Sequence, residues 1–161
     1  MRFAAHASGR METVGGAQGA RVLTTTIAAF ADELSAHRYL EVLLWPNGPV
    51  CPSRGAGGRR VGKLDGASTR IGAHKCYACR KVFSIVYGTL FEKSHVPLHK
   101  WLQAIYLTNG GATPVRPYHL AQIINVSSKT ATNMLKKLDD AAHGKSSASV
   151  RKSSRAIFRE L

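Results

Sequence analysis

The stretch CYACRKVFSIVYGTLFEKSHVPLHKWLQAIYL, residues 76–107, decides how the rest of the chain is read. It changes character twice. Cys76 and Cys79 form a knuckle, Val82 to Leu90 is a strand-like run, and past His95-Val96-Pro97 an amphipathic helix begins. Pro97 suits the first turn of that helix, where a missing amide proton costs nothing. Leu98, Trp101, Leu102, Ile105 and Tyr106 then recur at helical spacing and make one apolar face, which Asn109-Gly110-Gly111 ends. A Cys-x-x-Cys turn lets two thiolates reach one zinc ion, and a structural site needs a second such pair. Upstream, Cys51-Pro52-Ser53-Arg54-Gly55 supplies one more thiol and places Arg54 where the fourth would stand. Cys51, Cys76 and Cys79 are therefore the candidate metal ligands, with zinc the candidate ion and one ligand replaced.

Downstream, the segment from Pro117 to Lys136 fits a helix-turn-helix template. Leu120, Ile124, Val126, Ala131 and Met134 fall on its buried positions, and Ala121 is the small residue where the two helices touch. Asn125 takes the turn position that needs a left-handed backbone, which Asn tolerates better than most residues. Ser127 reads as the N-cap of a third helix running to about Ala142. Its outward residues are Ser128, Lys129, Thr132, Asn133, Lys136 and Lys137. The lysines suit phosphates, while Ser128, Thr132 and Asn133 suit base edges in a major groove. A helical packing module with a solvated basic face is the alternative.

Upstream of the knuckle, Ile27, Phe30, Leu34, Tyr39, Leu40, Leu43 and Leu44 recur at helical spacing, giving one or two short helices. Asp32-Glu33 suit the first turn, and Trp45-Pro46-Asn47-Gly48-Pro49 stops the element, with Trp45 a core or lid aromatic. Between Val50 and Lys81, eight basic residues face a single acidic one, Asp65, and the distance from Cys51 to Cys76 leaves room for a β-hairpin between knuckles. Arg59, Arg60, Arg80 and Lys81 join the candidate DNA-binding residues. His74 is a candidate fourth metal ligand. If metal is not what holds this region, Val50, Phe83 and Ile85 must. A catalytic three-cysteine site lacks a general base beside it.

The totals agree with a polyanionic partner. Lys and Arg number 23 against nine Asp and Glu, a formal charge of +14. No run is long enough to span a membrane, and residues 1–20 lack the apolar core of a signal peptide, so a cytoplasmic protein is expected. Three cysteines fit a reducing compartment better than a disulfide framework. The expected organisation is a small α+β chain of N-terminal short helices, degenerate zinc-ribbon β-hairpins and a three-helix helix-turn-helix segment. Its divisions are a disordered N-terminus (1–26), a zinc-ribbon-like domain with a leading helix (27–95), the helix-turn-helix (96–142) and a basic disordered tail (143–161), read as solvated with a phosphate-binding arm as the alternative.

These residues together resemble the N-terminal part of bacterial insertion-sequence transposases that carry a transposase zinc-ribbon domain. The resemblance rests on FADELSAHRYLEVLLWPNGPVCP (30–52), KCYACRKVFSIVYGTLFEKSHVPLHKWLQAIYL (75–107) and the helices at 117–138, and covers about residues 26–142. It implies double-stranded DNA as partner, the transposon's terminal repeats in particular, and association with a full-length transposase. In that family a ribonuclease-H-like domain with acidic metal ligands follows. Here the acidic residues after position 108 are Asp139, Asp140 and Glu160, so no strand transfer is expected from this chain alone. Two alternatives stay open: a targeting subunit whose catalytic domain is encoded separately, and a small ribbon protein that binds RNA or protein.

Overall fold

A computed structural model describes residues 30–109 and 114–161, so the expected disordered N-terminus, residues 1–26, lies outside the described residues. Among the described residues, five α-helices and a three-stranded antiparallel sheet make the small α+β architecture expected. Helix α1 (Glu33–Leu44) starts where Asp32, in extended conformation, accepts 2.8 Å bonds from the Ser35 amide and the Ser35 hydroxyl. Those bonds hold the Asp32 carboxyl below its ordinary range. The helix ends at Trp45, immediately before Pro46, where a following proline disfavours helical backbone.

A 3-10 turn (Gly58–Arg60) leads into β1 (Val61–Lys63), β2 (His74–Cys76) and β3 (Val82–Phe83), in that order across the sheet. Val61 pairs with Cys76, Lys63 with His74, and His74 with Phe83. The strand expected from Val82 to Leu90 therefore stops after two residues. Local bonds replace the ladder beyond it. The Thr89 hydroxyl donates to the Val86 carbonyl at 2.7 Å, Glu92 Oε2 accepts from the Gly88 amide at 3.0 Å, and Gly88 itself sits at φ +72°. This folded-back segment delivers Ile85, Leu90 and Phe91 to the helical core.

Helix α2 (Leu98–Asn109) receives its first helical bonds at the Pro97 carbonyl, so Pro97 stands just outside it. It is followed by α3 (Pro117–Ile123), α4 (Ser128–Ala142) and α5 (Ala148–Glu160). Leu40, Trp101, Leu102, Ile105, Leu120 and Met134 are among the fully buried side chains of one continuous core. A second, smaller cluster holds Cys51, Cys76 and Phe83. Trp45 packs against both, its ring 5.3 Å from His74 and 5.9 Å from Phe83. The trio expected to hold the ribbon is thereby split: Phe83 lies in the thiol cluster, Ile85 in the helical core, and Val50 is 43% exposed.

The tail expected to be disordered from 143 to 161 instead contains α5. Ser147 caps it by accepting from the Val150 amide, and Ser154 and Ile157 are buried. Val150, Ser154, Ile157, Phe158 and Leu161 share one helical face, an apolar stripe that the surrounding Ser, Lys and Arg obscure in the sequence. That stripe packs on α1 and α4. Helix α1, expected to lead the ribbon, packs on α2 as well.

Candidate nucleic-acid interface

Helix α3 ends in a Schellman motif. Ile124 is its C-cap, Asn125 adopts φ +52°, and the Val126 amide bonds back to the Ala121 carbonyl at 3.0 Å. The left-handed residue is the asparagine that the template requires. Lys100 on α2 donates to the Asn125 carbonyl at 2.8 Å, tying the turn to the preceding helix. Two residues on, Ser127 accepts from the Thr130 amide at 3.1 Å and opens α4. Leu120, Ala121, Ile124, Ala131, Met134 and Leu138 are buried, which fixes the rotation of α4 about its axis.

As a result Ser128, Lys129, Thr132, Asn133, Lys136 and Lys137 are all exposed. Thr132 donates its hydroxyl proton to the Ser128 carbonyl at 2.9 Å, which leaves its oxygen free to accept. The Lys137 ammonium sits 5.9 Å from the centre of the Trp101 ring, so this lysine is held beside the body of the protein.

The four candidate DNA-binding residues of the sheet region, Arg59, Arg60, Arg80 and Lys81, sit on segments tied together by the backbone. The Tyr77 amide donates to the Arg60 carbonyl at 2.8 Å, and Cys76 donates to the Lys81 carbonyl at 3.0 Å. The turn carrying Arg59 and Arg60 is thus tied to the knuckle carrying Arg80 and Lys81, and all four are exposed. Arg80 takes a left-handed conformation at φ +61°, which closes the knuckle.

Behind that patch, the ligand atoms of Cys51, Cys76 and Cys79 lie within 4.8 Å of one another, with Cys51 Sγ 3.6 Å from Cys79 Sγ. Three thiols that converge from two separate turns can hold a metal ion. The Cys79 amide and the neighbouring sulfurs pull the Cys76 thiol below its ordinary value. Although the Lys81 amide favours the Cys79 thiolate, burial and the adjacent Cys76 and Cys51 push that thiol up. A closed zinc site needs a fourth donor, and among the described residues the group comprises these three. Arg54 is exposed. His74 is buried on β2, but its Nδ1 lies 3.1 Å from the Gly72 carbonyl and its ring packs against Trp45 and Phe83.

Residues 98–148, α2 through the start of α5, match the family described as iron dependent repressor, N-terminal DNA binding domain. The finding supports a DNA-binding role. A second similarity is to a protein of Halobacterium salinarum described as "Uncharacterized protein in transposable element ISH50", 34% identical over 105 residues. The alignment covers 65% of this chain and 34% of that protein, so the chain spans about a third of the relative's length. No solved structure matches. Among the described residues no helix is long and apolar enough to cross a membrane.

Sequence reasoning missed α5, whose apolar spacing was the available signal. It also missed what Glu33 does beyond its own helix. Glu33 Oε2 accepts from the Leu98 amide at 2.6 Å, a contact between residues 65 apart that no local pattern announces.

Proposed function

We propose that this chain is the DNA-recognising part of an insertion-sequence transposition system and that it binds the element's terminal repeats without cutting them. The observation that carries the reading is the Asn125 turn, which presents the polar face of α4 within residues similar to a DNA-binding domain. In this reading α4 lies in the major groove. Lys129, Lys136 and Lys137 contact phosphates and set the register, while Ser128, Thr132 and Asn133 read base edges. Asn133 is suited to adenine because its amide donates and accepts in one plane. Arg59, Arg60, Arg80 and Lys81 form a second phosphate contact from the sheet region. The proposed place of this work is the cytoplasm.

Zinc is the proposed occupant of the Cys51, Cys76 and Cys79 cluster. Bound there, it supplies a structural cross-link between the Cys51 turn and the knuckle. The chain's own residues already hold that pairing in part, through Phe83 and the backbone bond from Cys76 to Lys81.

The test is a titration of duplex DNA with purified protein across a salt series, followed by selection of bound sequences from a random pool. Salt-dependent binding is expected, with a selected sequence that loses its preference in Asn133→Ala. Binding that does not respond to salt, or no binding at low salt, defeats the proposal.

A further inference from the structure

We infer that α5 is a further surface for the DNA phosphate backbone, a rigid basic ridge that runs between the segment after the sheet and the recognition helix. The inference rests on the DNA-binding reading above. Arg151, Arg155 and Arg159 are spaced four residues apart, so they rise about 6 Å per step along one side of the helix. All three are exposed, and Glu160 is the one acidic residue on the element. Guanidinium groups suit phosphate because their fork of donors matches two oxygens at once.

The position of the ridge is fixed at both ends. Near its start, Ser149 donates to the Gly88 carbonyl at 3.1 Å, in the segment that follows β3. Near its end, the Phe158 carbonyl accepts from Asn109 Nδ2 at 3.1 Å, and the Phe158 side chain lines a cleft with Leu135, Leu138 and Asp139 of α4. Burial of Ser154 and Ile157 sets the rotation of α5 and turns the arginines outward. A helix anchored in this way presents its charges with little further ordering cost on binding.

The existing partners leave the arginines available. Arg151 donates one Nη1 bond to the Gly144 carbonyl at 3.2 Å, which leaves further donors on the guanidinium. The 3.5 Å pair between Arg159 and Glu160 is exposed and weak. An anionic membrane is the competing polyanion, but a helix that binds membranes inserts an apolar face, and here that face is buried in the core.

The test compares the full chain with R151Q/R155Q/R159Q by fluorescence anisotropy on duplex DNA over roughly 50–200 mM salt. Each lost phosphate contact lowers the steepness of log K against log salt by about 0.9, so the triple variant is expected to lose about 2–3 in slope. Its preference among sequences stays that of the parent, and the triple Arg→Lys variant recovers most of the slope. The single Arg155→Gln variant, expected to lose about 1, keeps the test valid if the triple loses helicity. An unchanged slope in folded variants overturns the inference while leaving the helix-turn-helix reading intact. Loss of binding to phosphatidylglycerol vesicles with no change on DNA overturns it in favour of a membrane. A parent that shows no salt-dependent DNA binding at all overturns both readings.

Discussion

Glu33 Oε2 lies 2.6 Å from the backbone nitrogen of Leu98, so the first turn of α1 caps the N-terminus of α2. The same oxygen also accepts from the His99 amide at 3.3 Å and lies 3.1 Å from His99 Nδ1. A carboxylate at a helix N-terminus satisfies orphan amides and faces the positive end of the helix dipole. Glu33→Ala is expected to cost about 1–2 kcal/mol, since it leaves a half-buried amide without its charged partner. Glu33→Gln should cost less, because its side-chain oxygen still accepts. Urea unfolding measures both, and an alanine variant as stable as the parent defeats the cap.

His37 gives a pH signature to the same junction. Its Nδ1 is buried with no hydrogen-bond partner and packs against Gly72, while Nε2 is 3.7 Å from Glu33 Oε1. Burial lowers its pKa from the ordinary 6.5, and Glu33 and Glu41 on its own helix oppose that shift without overcoming it. Arg70, Lys93 and His95 line the same cavity, where Arg70 and Lys93 add positive charge. The folded value lies below the unfolded one, so above pH 6.5 both states are neutral and His37 has no effect. As pH falls below 6.5 the unfolded chain takes up a proton that the folded chain resists, and stability declines. His37→Gln is expected to flatten the pH dependence of Tm between neutrality and mild acid. An equally steep profile in the variant sinks this assignment.

The parts legible in the sequence were those where a local rule and the tertiary structure agree. Asn125, Ser127, Pro117 and the buried positions of α3 and α4 all follow from the geometry of one motif, and each stands where its chemistry requires. The run after Val82 misled because Val, Ile and Tyr favour strands, whereas Gly88, Thr89 and Glu92 bond locally and fold the segment back. Helix α5 was hidden by composition, since Val150, Ile157, Phe158 and Leu161 are the only large apolar residues in a polar sequence. The spatial approach of the three thiols was implied by spacing, but the orientation of His74 depends on Trp45, which no spacing rule connects to it.

Asn125 offers a clean check on the turn. At φ +52° a β-branched residue is strained, while glycine is not. Asn125→Val is expected to destabilise by about 1–2 kcal/mol and Asn125→Gly to change stability by well under 1. The bond from Lys100 goes to the backbone carbonyl, so it survives either change. If valine and glycine are equally tolerated in thermal melts, the backbone at 125 is not left-handed in solution.

Metal binding can be probed through the position that lacks a ligand. Arg54 follows Cys51 by three residues in a turn closed by the Gly55 amide on the Cys51 carbonyl at 2.8 Å. That is the spacing at which a second thiol of a knuckle stands. Arg54→Cys removes a cation near the site and supplies a fourth thiolate, so zinc should bind more tightly and raise Tm by more than it does in the parent. Cys76→Ser leaves two thiols in the parent and three in Arg54→Cys, so it should abolish the zinc response in the first and cut it back to about the parent's level in the second. Because Trp101, Leu102 and Ile105 lie in the separate helical core, chelation should loosen the region around Cys51 and Cys76 and leave α2 to α4 protected in hydrogen exchange. No bound zinc and no zinc-dependent melting shift in either the parent or Arg54→Cys would show that the three thiols are held by packing, with Phe83 and Trp45 as their support.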